Sequence, residues 1–500
     1  MSMSFQAARL AFVAAIASLV RVNAVDNGLA RTPQMGWNNW NAFACDVSEE
    51  LLVQTADLIV GYGLRDLGYE YVVLDDCWSA GRNASNNNTL IPDPIKFPRG
   101  MSAVAEDMHV LDLKFGMYSD AGRYTCGMYE GSLGHETTDA NTFASWGVDY
   151  LKYDNCYNEG YAGNQAISSE RYRTMGDALN ATGRPILYSL CNWGEDYPWN
   201  WGSTIANSWR MSGDIFDMWD KYDARCPCEG KDAWNCELPG FHCSITNIMN
   251  KVSFIVSKAQ PGAWNDLDML EVGNGGMTDD EYVAHFSMWS VAKSPLLIGA
   301  DIRKILPQDL AILNNAAVIA VNQDPMGQSA GRRWMYETEE NGPGAIQLWT
   351  GNLRSTTGGR WNDMVVLLIN GKDRAIEMNA TLIDIFSDVR PKGKPAQASM
   401  AWEVRDLWAD RMSTEKAAAI IAAAKGNSTV PFNATAIAEG RFNTTQTSYA
   451  DGLKSNSSIL LGKVIGTVEP QGNIKATVPK HGAVMYRLRA LPSDRNIDEL

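Results

Sequence analysis

Aspartates recur where apolar stretches end in the first part of the chain: YVVLDD (71–76), GMYSD (116–120), YLKYD (150–154), SWRMSGD (208–214) and NDLD (265–268). Each stretch has the aromatic and β-branched character of a strand, and each gives way to carboxylates where a strand would pass into a loop. Two of them also close on cysteine, Cys77 after Asp75 and Asp76, and Cys156 after Asp154. There is no cluster of histidines, no GxSxG and no phosphate loop, so the pattern points to acid/base and nucleophilic work by aspartate itself. Glycoside hydrolysis needs two such carboxyls, one to protonate the leaving oxygen and one to act at the anomeric carbon. Asp154 and Asp214 are the candidate pair. Lys152 shares a strand face with Asp154, because side chains alternate with period two, and its charge favours the ionised carboxylate that a nucleophile requires. One strand-end aspartate alone is equally well explained as a helix cap. The grouping carries the inference.

Such a grouping requires elements that bring distant strand ends together. Eight apolar runs are spaced as strand candidates, at residues 33–40, 69–76, 113–120, 150–154, 185–191, 208–214, 263–270 and 295–301. Helical segments separate them, such as SEELLVQTADLIVGYGL, where Ser48 precedes Leu52, Ala56, Ile59 and Val60 at helical spacing. Eight alternating units predict a (β/α)8 barrel, whose active site lies at the C-terminal ends of its strands, where all of these carboxylates fall. A doubly wound open sheet would not converge so many strand ends on one point.

Beyond Asp324 and Pro325 the pattern changes to short alternating stretches, including AIQLWTG, DMVVLLING, SILLGKVIGTV and GAVMYRLRAL, which predict an antiparallel β-sandwich over residues 325–500. One insert, Glu415 to Gly426, reads as a helix, and this half is expected to pack on the barrel, with sugar binding as the alternative. The 500 residues, 45% hydrophobic and 10% aromatic, suffice for two sizeable cores. With 43 Lys plus Arg against 58 Asp plus Glu, the net charge is −15, which argues against nucleic acid as a partner. The 17 Trp and 18 Tyr are the flat rings that stack on sugars as well as fill cores.

The first 24 residues read as an export signal: Arg9, the apolar run LAFVAAIASLV, then Val22-Asn23-Ala24 as a small-residue cleavage pattern. No later stretch has the apolar length of a membrane span, so the expected product is secreted, with no membrane partner. Sequons at Asn83, Asn87, Asn180, Asn379, Asn427, Asn433, Asn443 and Asn456 agree. Nine cysteines in an exported chain predict disulfides with one thiol left over. Cys226, Cys228, Cys236 and Cys243 lack paired CxxC spacing and read as two local bridges, with a metal site as the alternative.

NGLARTPQMGWNNWNAF, YVVLDDCW, GMYSDAG, FASWGVDYLKYDNC and PGAWNDLDML together resemble glycoside hydrolase family 27, the α-galactosidases of clan D, in order from Asn27 to about Ile305. The resemblance implies a retaining enzyme acting on α-galactoside oligosaccharides or polysaccharides without cofactor or metal. It makes Asp154 the nucleophile and Asp214 the acid/base. It gives Asp75 and Asp76 to the sugar O4 and O6, Lys152 to O3 and O4, and Arg210 to O2, with Trp40 and Tyr118 along the ring and Asp268 and Met269 on the far wall. It also implies bridges Cys45–Cys77 and Cys126–Cys156, which would hold the carboxylate loops rigid. The chain departs from the family in SLCNWGED: Asn192 stands where several relatives have Glu, and Ala206 occupies the place of the usual partner of Cys191 in animal members. Cys191 is therefore expected to be the free thiol. This loop, with Cys191, Asn192 and Trp193, reads the sugar's C2 substituent, and Trp193 leaves little room for an N-acetyl group. The alternatives are an α-N-acetylgalactosaminidase, a β-L-arabinopyranosidase, which the Asp75-Asp76 pair disfavours, and a secreted galactose-binding lectin without catalysis.

Overall fold

The computed structural model describes residues 27–221, 226, 242–337, 344–387, 394–426 and 441–491. The signal segment, Cys228, Cys236, Asn427 and Asn433 lie outside them.

All eight expected barrel strands form. They are β1 (Met35–Asn38), β2 (Tyr71–Val73), β5 (Lys114–Asp120), β6 (Tyr150–Asp154), β7 (Leu187–Leu190), β8 (Ser208–Arg210), β9 (Trp264–Asp266) and β10 (Leu296–Ile298), with a hairpin of β3 (Ser79–Asn83) and β4 (Thr89–Pro92) inserted after β2. The sheet runs β10-β1-β2-β5-β6-β7-β8-β9, every pairing parallel. Closure comes one step beyond β9, where Leu270 N donates to Leu297 O at 2.7 Å and Gly299 N to Leu270 O at 2.9 Å. Parallel register sets the chemistry side by side: Asp120 pairs with Asp154, Tyr118 with Lys152, and Arg210 with Asp266.

Helices follow the strands as the periodicity predicts. Glu49–Gly61 begins on Ser48, whose hydroxyl accepts from Leu51 N, with Glu49 and Glu50 in its first turn, a cap worth about 1 kcal/mol. Met101–Val110, Glu136–Ser145, Gln165–Ala181, Ile245–Val252 and Asp279–Ala292 continue the ring. Between β7 and β8 the connection is made of two short 3-10 turns, Pro198–Asn200 and Gly202–Thr204. A small apolar plug of Tyr71, Val73, Tyr150, Leu187, Met269 and Leu297 fills the barrel. The main core lies outside it, between strands and helices.

The second half forms a six-stranded antiparallel sheet in the order β11 (Gly331–Tyr336), β12 (Ile346–Leu353), β13 (Asp363–Asn370), β18 (Ala483–Ala490), β15 (Trp402–Asp406), β16 (Lys463–Val468), with β14 (Ile376–Thr381) paired to β17 (Asn473–Val478) beside it. It has its own core around Leu348, Val366, Leu368 and Trp402. Its other face joins the barrel core through Leu407, Phe442, Leu460 and Met485. The insert forms the helix Thr414–Ala424, which buries Ala417 and Ile420 in that same core. Among the described residues no helix is long and apolar enough to cross a membrane.

Candidate active site

The carboxylates converge because the loop after each strand is tied to its neighbours. At the end of β2, Asp75 N donates to Asn39 Oδ1 at 2.7 Å, and Asp75 Oδ2 accepts from Asn38 Nδ2 and Lys152 Nζ, each at 2.7 Å. Asp76 turns the other way: its carboxylate accepts from Cys77 N at 2.6 Å and Gly127 N at 2.7 Å. Burial raises the Asp76 pKa against those two bonds. Cys77 is held at φ 71° and bonded to Cys45, and Cys126 is bonded to Cys156. The Cys156 loop crosses Gly122 so closely that a Cβ there would lie 1.8 Å from Cys156 O, which only glycine permits.

Asp154 closes the floor, 6% exposed, with its Oδ2 accepting from the Tyr118 hydroxyl at 2.9 Å. Behind it Tyr172 OH donates to the Asp154 carbonyl at 3.0 Å, and Arg171 donates to Asn155 Oδ1 and to Ala121 O. Lys152 Nζ lies over the Tyr118 ring at 5.3 Å. Burial opposes the Lys152 charge, yet Asp75 and Asp154 hold its pKa well above the ordinary value. Burial, with Asp214 and Asp75 nearby, pushes the Asp154 carboxyl up to about 7, although Lys152 and Tyr118 pull the other way.

Across the cavity Arg210 Nη2 donates to Asp214 Oδ1 at 2.9 Å and lies 2.6 Å from Asp268 Oδ2. Asp268, in the left-handed region at φ 80°, also receives Ile215 N at 2.8 Å on that oxygen and Met269 N at 2.8 Å on the other. Asp214 is the exposed member, its side chain 47% accessible. Its backbone carbonyl accepts from Cys243 N at 2.6 Å, and Cys243 is bonded to Cys226, so this bridge staples the Asp214 loop.

These groups line one cavity of about 890 Å³, with Trp40, Asp75, Asp76, Tyr118, Lys152, Asp154, Cys191, Trp193, Arg210, Asp214, Asp268 and Met269 all on its wall. Cys191 is a free, buried thiol whose sulfur lies 3.6 Å from Arg210 Nη1, and burial raises its pKa. Asn192 departs from the expected placement. It is 1% exposed, donates to Glu195 O at 2.6 Å and does not line the cavity. The left-handed turn that follows, with Trp193 at φ 54°, presents Trp193 to the cavity in its place.

Several residues of this site carried no recognisable signal in the sequence. Asn38 and Asn39 lie in the string NGLARTPQMGWNNWNAF without a role assigned to them, yet they hold Asp75. Phe216, Asp217, His242, Glu271, Arg303 and Lys304 also line the cavity, from loops with no shared motif. Asp120, Cys126 and Cys156 come within metal-ligand reach of one another, but both sulfurs are in a disulfide and Asp120 accepts from Gly122 N and Cys156 N. That trio therefore offers no thiolate.

Comparison with known proteins agrees with this geometry. Residues 32–324 match the family described as alpha galactosidase A, and residues 343–438 match the alpha galactosidase C-terminal beta sandwich domain. The alpha-galactosidase of Lachancea cidri is 53% identical over 466 residues, covering 93% of this chain and 95% of its own. The solved alpha-galactosidase of Saccharomyces cerevisiae superposes with a TM-score of 0.85 at 50% identity, over 93% of this chain and 99% of that one. A second structure of the yeast enzyme, with raffinose, gives 0.86 at the same identity and coverage. A closed ring of strand-end carboxylates and a sandwich domain behind it, matched at this identity along most of the length, mean that the chain belongs to the α-galactosidase family of glycoside hydrolases.

Proposed function

We propose that this protein is a secreted, retaining α-galactosidase that removes terminal α-galactosyl residues from oligosaccharides and galactomannans by double displacement. The observation that carries the reading is the asymmetric carboxylate pair. Asp154 is buried on the floor beside Lys152 and Tyr118, while Asp214 stands half-exposed at the mouth, near enough to raise the Asp154 pKa. A galactosyl ring seated against Trp40 and Tyr118 presents its anomeric carbon to Asp154, which attacks as Asp214 gives its proton to the leaving oxygen. Asp214 then takes a proton from the water that cleaves the galactosyl ester. Asp75, Asp76 and Lys152 receive the O3, O4 and O6 side, and Arg210 the O2 side. The bound raffinose of the yeast relative supports an oligosaccharide substrate. We assign catalysis to residues 25–324 and a supporting role to 325–500. The predicted signal segment, the disulfides and the sequons support export.

Asp154 is the group pushed up to about 7, because it is the buried one. The working form has Asp154 ionised and Asp214 protonated, so the pair carries one proton. Sugar binding expels water from around Asp214, which moves that proton to the mouth, where the leaving oxygen needs it.

Proton NMR of the first product tests the mechanism. α-Galactose is expected, and β-galactose appearing first refutes Asp154 as nucleophile. Asp154→Gly is expected to lose turnover yet form β-galactosyl azide from an activated substrate in azide. Parallel assays on α-N-acetylgalactosaminide and β-L-arabinopyranoside separate the alternatives, which the bulk of Trp193 and the Asp75-Asp76 pair disfavour. Absence of turnover on all three would leave a lectin.

A further inference from the structure

The loop that carries Asp214 runs on to Trp219 and is held along its backbone by residues 243–246: Cys243 N donates to Asp214 O at 2.6 Å, Phe216 N to Cys243 O at 2.9 Å, and Ile245 N and Thr246 N to Met218 O and Trp219 O, each at 3.1 Å. Side chains add three grips. Ile215 N donates to Asp268 Oδ2 at 2.8 Å. The Asp217 carboxylate accepts from Gly276 N at 2.5 Å and from the Tyr282 hydroxyl at 3.0 Å. The third grip comes from the C-terminal half. Trp219, 5% exposed, lies flat on the imidazole of His481, with ring centroids 5.6 Å apart and planes 15° from parallel. His481 sits in the turn between β17 and β18 at φ 49°. Its Nδ1 is 2.7 Å from Glu281 Oε1 and its Nε2 is 3.3 Å from Asp373 Oδ1, which also pairs with Lys480 at 3.0 Å. The other oxygen of Glu281 caps the helix Asp279–Ala292 through Thr278 N at 2.7 Å and Thr278 Oγ1 at 2.9 Å. Glu281 is thus a fixed point on the barrel that orients the ring bearing on Trp219.

We propose that His481 is a positioning residue for Asp214, through which the C-terminal half sets the placement of the proton donor. The inference rests on Asp214 being the acid/base. Asp214 is half-exposed and reaches Arg210 through one oxygen, so its position is decided largely by where its loop lies. Proton transfer to a leaving oxygen tolerates little displacement. Removing the stack leaves the backbone bonds to residues 243–246 and the Ile215 and Asp217 grips in place, so the loop stays closed, while its Trp219 end loses side-chain support and Asp214 shifts slightly.

The test compares kcat/KM for raffinose, whose leaving group needs protonation, with kcat/KM for a dinitrophenyl α-galactoside, whose leaving group does not. In His481→Asn, which keeps a residue tolerant of the left-handed turn, we expect about a tenfold loss on raffinose and less than about twofold on the aryl substrate. His481→Phe restores a flat ring against Trp219 and is expected to recover raffinose to within about threefold of the parent. Trp219→Leu reproduces the pattern from the other side, and the double variant is no worse than the poorer single one. It also supplies the measurement if His481→Asn does not accumulate. Equal losses on both substrates, no loss, or no recovery with Phe would overturn the proposal. Asp214→Asn is run alongside: if it lacks the leaving-group split, the acid/base assignment fails, whereas a split there but not in His481→Asn defeats the positioning role alone.

Discussion

Replacing Asp154 with Asn is expected to stabilise the protein, and to do so more at neutral pH than in acid. Burial of Asp154 on the floor of the cavity, with Asp214 and Asp75 nearby, outweighs Lys152 and the Tyr118 bond and moves the carboxyl from an ordinary 3.8 to about 7. A carboxyl raised on folding binds a proton more tightly in the folded chain than in the unfolded one. Between those two pKa values the unfolded chain is ionised while the folded one is not, so stability falls as pH rises. The penalty is absent below about 3.8, grows through the window and is complete above about 7. At about 1.4 kcal/mol per pKa step, the full penalty is at most about 4 kcal/mol near pH 7.5 and about 1 kcal/mol near pH 4.5. Asn has the shape of the protonated acid, accepts from Tyr118 OH in the same place and never ionises, so the variant escapes the penalty. For a chain of this length unfolding cooperatively, about 1 °C per kcal/mol follows from the usual unfolding entropy, giving a Tm gain of about 4 °C near pH 7.5 and about 1 °C near pH 4.5. Differential scanning calorimetry of parent and variant at both values is the assay. A gain that does not change with pH, or a loss at neutral pH, would show that Lys152 outweighs burial and that the raised carboxyl is not Asp154.

Because the working form of the pair carries one proton, kcat/KM should be bell-shaped and fall as pH rises through about 7, where the last proton leaves; a rate that climbs steadily to pH 9 contradicts this. Arg210→Met leaves Asp268, 5% exposed, without its cation, and should cost about 3 to 5 kcal/mol in urea unfolding together with most activity. A stable Arg210→Met protein would mean that Asp268 escapes the unpaired charge by taking up a proton. Cys191→Ser should retain turnover, since the thiol touches Arg210 and does no chemistry, and thiol titration of the denatured, unreduced chain should find one group per chain. Loss of turnover in the serine variant would give the sulfur a larger part.

Much of the fold was legible because its signals are local. Runs such as YVVLDD and YLKYD announce strands through side chains that alternate in or fill a buried sheet, and the polar residue that ends each run marks the strand's exit. Ser48 announced its helix through a capping bond that spans three residues. A count of eight such units is enough to predict a barrel, and the barrel rule then gathers Asp75, Asp76, Asp154, Asp214 and Asp268 at one end. The sequence does not announce the hairpin β3–β4, since its strands SAGRN and TLIP are short, bury only Ser79 and Leu90, and lack the alternation that a buried face imposes.

What the sequence left open is decided by contacts between residues far apart in the chain. Asn192 lies next to Cys191 and Trp193, yet it turns away from the cavity because a left-handed turn directs it to Glu195 O, a matter of backbone conformation that side-chain type does not encode. The raised pKa of Asp154 could not be read from YLKYD, because it depends on how deeply the carboxyl is buried and on which charges surround it. His481 meets Trp219 and Glu281 only after the sandwich has docked on the barrel, and no spacing along the chain relates the three. Strand and helix are fixed by neighbours a few residues away, so they can be read from the sequence. Burial, charge environment and loop placement come from packing across the whole chain, and only the tertiary structure determines them.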